Sequence, residues 1–248
     1  MTIARVVPEW PAPAHVNAAV SERGGGASVG RYASLNLGAH VGDAPDAMRE
    51  NRRRLVAGLG LPSEPVWLEQ VHGTRIVDLD SAWSGAADGA VTSRPGVVCA
   101  ILTADCLPVI LTNRAGTRVG AAHCGWRGLA AGVLPAVVAA MGLPARDLLA
   151  WLGPAIGPEA YEVGAEVRAA FLERDSGASA AFAANARGRF QADLYALARR
   201  SLAAAGVAAV YGGGFCTSTE AKRFFSHRRE APCGRMASLI WLAPTPMS

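Results

Sequence analysis

Between residues 96 and 123 three apolar runs follow one another with hardly a break: GVVCAILTADC, LPVILT and RVGAAH. The first is near-continuously apolar and reads as a strand buried on both faces, with Asp105 and Cys106 at its exit. The other two read as further strands, the last ending on His123 before glycines at 125 and 128 break it and the helix LAAGVLPAVVAAM follows. Two neighbouring hydrophobic strands thus finish on reactive side chains, in a chain with only five histidines and five cysteines.

The surrounding pattern supplies more strands and helices. Asp43, Pro45 and Asp46 form a helix start, and Met48, Leu55, Val56 and Leu59 recur at helical spacing until Gly60 and Pro62 stop it, leaving Arg52 to Arg54 on the solvent side. PVWLEQV and TRIVDLD are β-rich runs separated at His72-Gly73, which predicts strand, tight turn and strand. LLAWLGPAIG reads as a strand, GAEVRAAFLER and ADLYALARRSLAAAG as amphipathic helices, and VAAVYGGG and RMASLIWLA as closing strands around a loop. The Ala-rich stretch at 178 to 186 reads as a loop or loose helix. Strands and helices are mixed rather than strictly alternating, so an α/β (α+β mixed) architecture with a mixed sheet is predicted, in a single domain over 1–248.

Composition narrows the function classes. A formal charge of +4 and short Arg clusters permit anionic ligands without requiring a nucleic-acid polymer as partner. The start, MTIARVVPEWPAPAHV, has no continuous apolar segment of signal-peptide type, and the most apolar windows are interrupted by Asp105, Pro or Gly, so a cytoplasmic protein with no membrane span is expected. An odd cysteine count with no C-x-x-C pair indicates neither a disulfide framework nor a zinc ribbon. A monomer or weak homo-oligomer is expected.

In open sheets ligands bind beyond the strand ends, and His72, Cys106 and His123 all fall at such exits. A thiolate and two neutral imidazoles suit a tetrahedral zinc with one open position. Taken singly, each residue also has an ordinary structural reading: a small core cysteine, or a turn histidine beside glycine. Their spacing is no short-range metal motif, so the residues alone leave both readings open. Cys99 and Cys124 read as core residues, Cys124 pointing away from His123 by strand alternation.

The ordered set RGGGAS (23–28), YASLNLGAHVGD (32–43), QVHG (70–73), TADCLPV (103–109), HCGWRG (123–128), GPAIGPEAYEVG (153–164) and the tail RFFSHRREAPCGRM resembles the laccase-domain family over about residues 23 to 241. Bacterial members of that family are called polyphenol oxidases, purine nucleoside phosphorylases or peptidoglycan editing factors. The resemblance implies a compact α/β fold with layered sheets, and zinc held by His72, Cys106 and His123. It also implies purine nucleoside phosphorolysis on adenosine, inosine, guanosine and methylthioadenosine, with adenosine deamination beside it. The chain departs from the family motifs at Cys124, Ala155, Glu159, His227 and Cys233. None of these is a proposed zinc ligand, and those in the C-terminal loop bear on substrate preference.

Nucleoside cleavage must stabilise an oxocarbenium-like sugar and seat a phosphate beneath the anomeric carbon. Arg23, Ser28 and Arg127 are candidates for the anion, and Asn36 for a sugar or phosphate oxygen. The glycines flanking Trp126-Arg127 would let the backbone bend sharply enough to aim the guanidinium toward the zinc. Asp105 is either a proton-transfer or supporting group beside Cys106 or a hydrogen-bond anchor for a nearby helix start or loop. Three rivals stand beside this reading. A cysteine hydrolase would use Cys106 as nucleophile and His123 as base, and a zinc hydrolase would edit a peptidoglycan precursor. A copper polyphenol oxidase needs many imidazoles, typically in His-x-His pairs, and the sequence has none.

Overall fold

The computed structural model describes residues 3–244, so the two residues at the start and four at the end of the expected 1–248 domain lie outside the described residues. Two short strands, β1 (Arg5–Val6) and β2 (Val16–Ser21), pair antiparallel and lead into an irregular loop. The loop ends at helix α1 (Pro45–Leu59), where Pro45 sits at a position that has no intrahelical donor to lose and Gly60, with φ 62°, closes the C-terminus in the left-handed conformation. The solvent-side expectation holds for Arg53 but not for Arg52. The Arg52 guanidinium lies 4.1 Å over the Trp67 ring and donates to the Leu37 carbonyl, which ties the loop to the helix. Arg54 is half-buried against Glu50.

Next come β3 (Ile76–Asp78), β4 (Gly89–Thr92), β5 (Val98–Thr103), β6 (Leu107–Asn113) and β7 (Val119–Cys124). The expected strand before His72 does not form. Val66 makes one isolated bridge to Cys99, residues 67–75 run without a ladder, and β3 pairs in parallel with β4 rather than folding back on its predecessor. The expected helix after β7 is split into α2 (Trp126–Ala131) and α3 (Val133–Ala140) by Gly132, whose φ of 100° only glycine adopts readily. Then follow β8 (Leu148–Leu152), β9 (Glu162–Val163) and α4 (Ala165–Leu172). The Ala-rich stretch divides into a 3-10 turn, Ser176–Ala181, and β10 (Phe182–Ala184). The chain closes with β11 (Phe190–Ala192), α5 (Leu194–Ala204), β12 (Ala209–Gly212), the single-turn α6 (His227–Glu230) and β13 (Met236–Leu242).

The strands make a four-stranded sheet, β1-β2-β13-β5, a six-stranded sheet, β12-β8-β6-β7-β4-β3, and a small sheet, β10-β11-β9. Among the paired strands of the described residues only β12–β8 and β3–β4 are parallel, so the predicted mixed architecture is the observed one. Side-chain alternation fixes the layers. From β5, Val98, Ala100 and Leu102 pack with Leu55 of α1, while Cys99 and Ile101 pack with Ile110, Ala121 and Ile240 between the two larger sheets. From β6 and β7, Leu107, Val109, Leu111, Ala122 and Cys124 pack against α3, α4 and α5. The order of layers is therefore helix, four-stranded sheet, six-stranded sheet, helices. Cys99 and Cys124 are both fully buried, Cys124 on the helix side, as alternation requires. Among the described residues no helix is long and apolar enough to cross a membrane.

Candidate metal centre

Cys106 lies where the chain changes sheets. β5 belongs to the four-stranded sheet and β6 to the six-stranded one, and the crossover between Thr103 and Leu107 is tight enough to put Asp105 at φ 90°, a conformation that non-glycine residues rarely hold. The Asp105 carboxylate accepts hydrogen bonds from the Thr217 hydroxyl (2.6 Å) and the Arg228 amide (2.6 Å), and its carbonyl accepts the Ile156 amide. It thereby pins the start of α6 beside the crossover.

His123 comes from the neighbouring strand, opposite Pro108 in the β6–β7 register, and is buried. His72 arrives on the ladder-free segment, at φ 61°. That turn is organised by one fully buried side chain, Asp88, which immediately precedes β4. Its Oδ1 accepts the His72 amide (2.9 Å) and the His123 Nδ1–H (2.8 Å), and its Oδ2 accepts the amides of Val71 (3.2 Å) and Gly73 (2.6 Å).

The metal-binding atoms of His72, Cys106 and His123 all lie within 4.8 Å of one another. Cys106 Sγ is 3.8 Å from His72 Nε2, and the two imidazoles meet edge-on with centroids 4.7 Å apart. Zinc with Zn–S of about 2.3 Å and Zn–N of about 2.0–2.1 Å sets tetrahedral donors about 3.5 Å apart, so this set can hold a metal ion with small side-chain adjustments. Burial by itself would raise the Cys106 thiol, yet the His123 charge beside it and hydrogen bonds from both histidines outweigh burial and hold it well below the usual cysteine range. Burial would lower His123, but the Cys106 thiolate and Asp88 together hold it above its ordinary value. A sulfur that is already anionic is the form a metal takes up. Exposure runs from His72, which is exposed, to His123, which is buried, so the cluster forms part of a wall with one open side.

Glycines make this convergence possible through space rather than bending. Gly125 has φ −64°, which any residue adopts, but a Cβ there would stand 2.6 Å from His72 Cδ2 and 3.1 Å from Cys106 Sγ. A Cβ at Gly128 would meet the Gly73 carbonyl at 2.8 Å.

The cluster opens onto a cavity of about 330 Å³, inside the range of small-molecule sites. Trp126 and Tyr161 give it aromatic walls, and His40, His227, Arg228 and Arg235 surround the remainder. Burial pushes the Tyr161 hydroxyl up to about 12, so it stays a donor at neutral pH. Partial burial, with the charges of Arg235 and Arg52, holds His40 below the ordinary histidine value. A larger groove of about 680 Å³ lies between α2, α4 and α5, away from the metal-ligating cluster.

Of the residues singled out from the sequence, His72, Cys106, His123 and Asp105 line this cavity. Arg127 is exposed beside it, stacked 4.4 Å over the Trp126 ring, with no hydrogen bond to a described residue. Arg23, Ser28 and Asn36 do not line it. Arg23 donates to the Ala33 and Ala221 carbonyls and pairs with Glu230. Ser28 and Asn36 are buried and bonded to Asp43, within a network centred on Asn51. Sequence alone does not single out Asp88, His40, Tyr161 or Arg235, and it marks Arg228 only as part of a C-terminal basic cluster suited to anions. The last four lie within the quoted motifs, but Asp88 stands in AADGA, which reads as a turn, and only its burial marks it.

A family described as multi-copper polyphenol oxidoreductase laccase matches residues 17–243. A purine nucleoside phosphorylase of Pseudomonas aeruginosa is 55% identical over 238 residues, covering 96% of this chain and 98% of its own. The purine nucleoside phosphorylase YfiH of Escherichia coli is 55% identical over 239 residues, with the same coverage. Among solved structures, a Neisseria meningitidis protein superposes with a TM-score of 0.92 at 49% identity, over 97% of this chain and 99% of that one.

Proposed function

The chain belongs to the multi-copper polyphenol oxidoreductase laccase family, matched over residues 17–243, and from that premise we propose that it is a zinc-dependent purine nucleoside phosphorylase that also deaminates adenosine. The observation that carries the reading is end-to-end similarity to relatives named for phosphorolysis, 55% identical across 96% of this chain. The metal is zinc rather than copper because a multicopper oxidase centre takes many imidazoles. The cluster here offers two, with one thiolate.

Zinc held by His72, Cys106 and His123 supplies Lewis-acid polarisation and an acidified water when bound. The protein's own groups do the remaining work. Trp126 and Tyr161 line the cavity and offer a purine aromatic contact, and the Tyr161 hydroxyl offers it a hydrogen bond. Arg228 and Arg235 line the same space with only Nη1 of each bonded to the fold among the described residues, and Arg127, on Trp126 at its edge, makes no hydrogen bond to a described residue, so the remaining donors of these three guanidinium groups are assigned to phosphate. Arg23, Ser28 and Asn36, whose polar atoms are engaged by the fold, take the role of holding the loop that carries His40. Asp105 fixes Arg228 at the cavity edge through its amide. The enzyme works as a monomer or weak homo-oligomer in the cytoplasm, on free nucleosides and inorganic phosphate.

Incubation of adenosine or inosine with protein and phosphate should release free base and ribose 1-phosphate. Base release at the same rate without phosphate would make the protein a hydrolase and overturn the assigned reaction.

A further inference from the structure

Asp88 belongs to no quoted motif, yet it touches both histidines of the metal cluster. Each carboxylate oxygen takes two donors. Oδ1 receives the His72 amide and the His123 ring N–H, at 2.9 and 2.8 Å, and Oδ2 receives the amides of Val71 and Gly73, at 3.2 and 2.6 Å. Three successive backbone amides therefore close around one anion, the arrangement that holds His72 at φ 61°. The same side chain accepts a hydrogen bond from His123 Nδ1–H, which leaves Nε2 as the metal-facing nitrogen. Asp88 also accepts and donates through its backbone: its carbonyl receives the His123 amide, and its own amide bonds to the Arg75 carbonyl. The Asp88 carboxylate itself is out of reach of solvent, while the loop that it gathers is exposed on its outer side.

We propose that Asp88 is the positioning residue of the metal centre, one carboxylate that sets the ring tautomer of His123 and the backbone of His72 together, so that two ligands from separate elements are presented as a pair. The proposal rests on the metal reading above. Its distinctive feature is the coupling: a carboxylate on a single histidine would tune that ligand alone, whereas here the support of one ligand is the support of the other. Ligand-supporting partners of this kind are worth about 10–100-fold in metal affinity.

The four-donor arrangement makes Asp88→Asn a discriminating variant. The amide is nearly isosteric, but either flip sets its NH2 against two N–H donors, because both oxygens are doubly occupied. Zinc affinity, read by competition with a chromophoric chelator, should fall about 10–100-fold in Asp88→Asn. Asp80→Asn supplies the comparison: Asp80 also accepts from a backbone amide and from hydroxyls of Thr92 and Ser93, but it is not part of the cluster, and its loss should leave zinc affinity within about twofold of wild type. Equal zinc affinity in wild type and Asp88→Asn would overturn the proposal while leaving the metal reading intact. A wild-type protein that takes up no zinc would overturn both. A measurement on unmutated protein stands independently of whether Asp88→Asn folds: in zinc-loaded wild type, proton–nitrogen correlation of the His123 ring should place the proton on Nδ1. A proton on Nε2, with Nδ1 on the metal, would contradict the proposal.

Discussion

Cys106 and His123 are displaced in opposite directions because each favours the charged form of the other, with Asp88 at 2.8 Å from His123 Nδ1 adding to the effect on the imidazole. Burial opposes both charged forms, yet the thiol is held down and the imidazole up. The thiolate is thereby in its metal-binding form, while the raised imidazole gives up its Nε2 proton as a metal binds, so uptake releases a proton. Residue types at strand exits made Cys106 and His123 legible as candidates. Their convergence with His72 was implied by the family resemblance and not by spacing, because it depends on a buried carboxylate 16 residues away in sequence that resembles an ordinary Asp-Gly turn. Arg127 belongs to the same scale. It stacks on Trp126 and makes no hydrogen bond to a described residue, so its fork is available to an anion. Arg127→Lys keeps the charge and loses both stack and fork. Activity should fall roughly tenfold or more, on the scale of one charge-assisted hydrogen bond of about 1.5–3 kcal/mol, with metal content and melting temperature unchanged. A fall in melting temperature with turnover preserved would return Arg127 to a structural part.

At the scale of elements, apolar periodicity identified the strands β5 to β8 and the helices α1, α4 and α5, because their burial is written in their own side chains. It failed where backbone groups find partners other than a ladder. The run before His72 looks like a strand but gives its amides at Val71, His72 and Gly73 to Asp88. The helix after β7 looks continuous but turns at Gly132. Gly125, read as a bending residue, is required for room. Gly125→Ala should therefore fold, with the new methyl displacing His72 and Cys106, and activity should drop about tenfold or more through misplaced groups. Full activity with an unaltered melting temperature would contradict the crowding seen here. Asp80 ties the turn after β3 to the end of β4 through Thr92 and Ser93. Burial would raise its carboxyl, but hydrogen bonds from Ser93 and Thr92 and the Arg118 charge bring it down to about 2. A depressed folded value stabilises above the unfolded value of about 3.9 and loses that contribution as pH falls toward 2. The melting-temperature gap between wild type and Asp80→Asn should be full at pH 5 and close toward pH 2. A gap independent of pH would show that the carboxylate charge contributes nothing.

The whole molecule is four layers, and the metal cluster lies at one end of the two middle ones, where β5 leaves one sheet for β6 of the other and β7 runs alongside. A strand supplies His123, the tight crossover between the two sheets supplies Cys106, and His72 comes from a loop clamped to the start of β4 through Asp88. The mixed character of the fold was legible from the irregular order of strands and helices. The pairing of β13 with β2 and β5, which brings the C-terminal loop bearing His227 and Arg228 over the cluster, was not, since nothing local specifies partners this distant in sequence. That long-range closure places cations, aromatic rings and metal ligands around one cavity. The central claim is that zinc in this cavity is what makes the protein a phosphorylase. Its most direct test is to strip the protein of metal, titrate zinc back, and follow phosphate-dependent release of base from inosine, with copper and the Cys106→Ala protein in parallel. The rate should rise with bound zinc and level off at about one ion per chain, with no recovery from copper or in Cys106→Ala; full activity in the stripped protein, or recovery with copper alone, would contradict the claim.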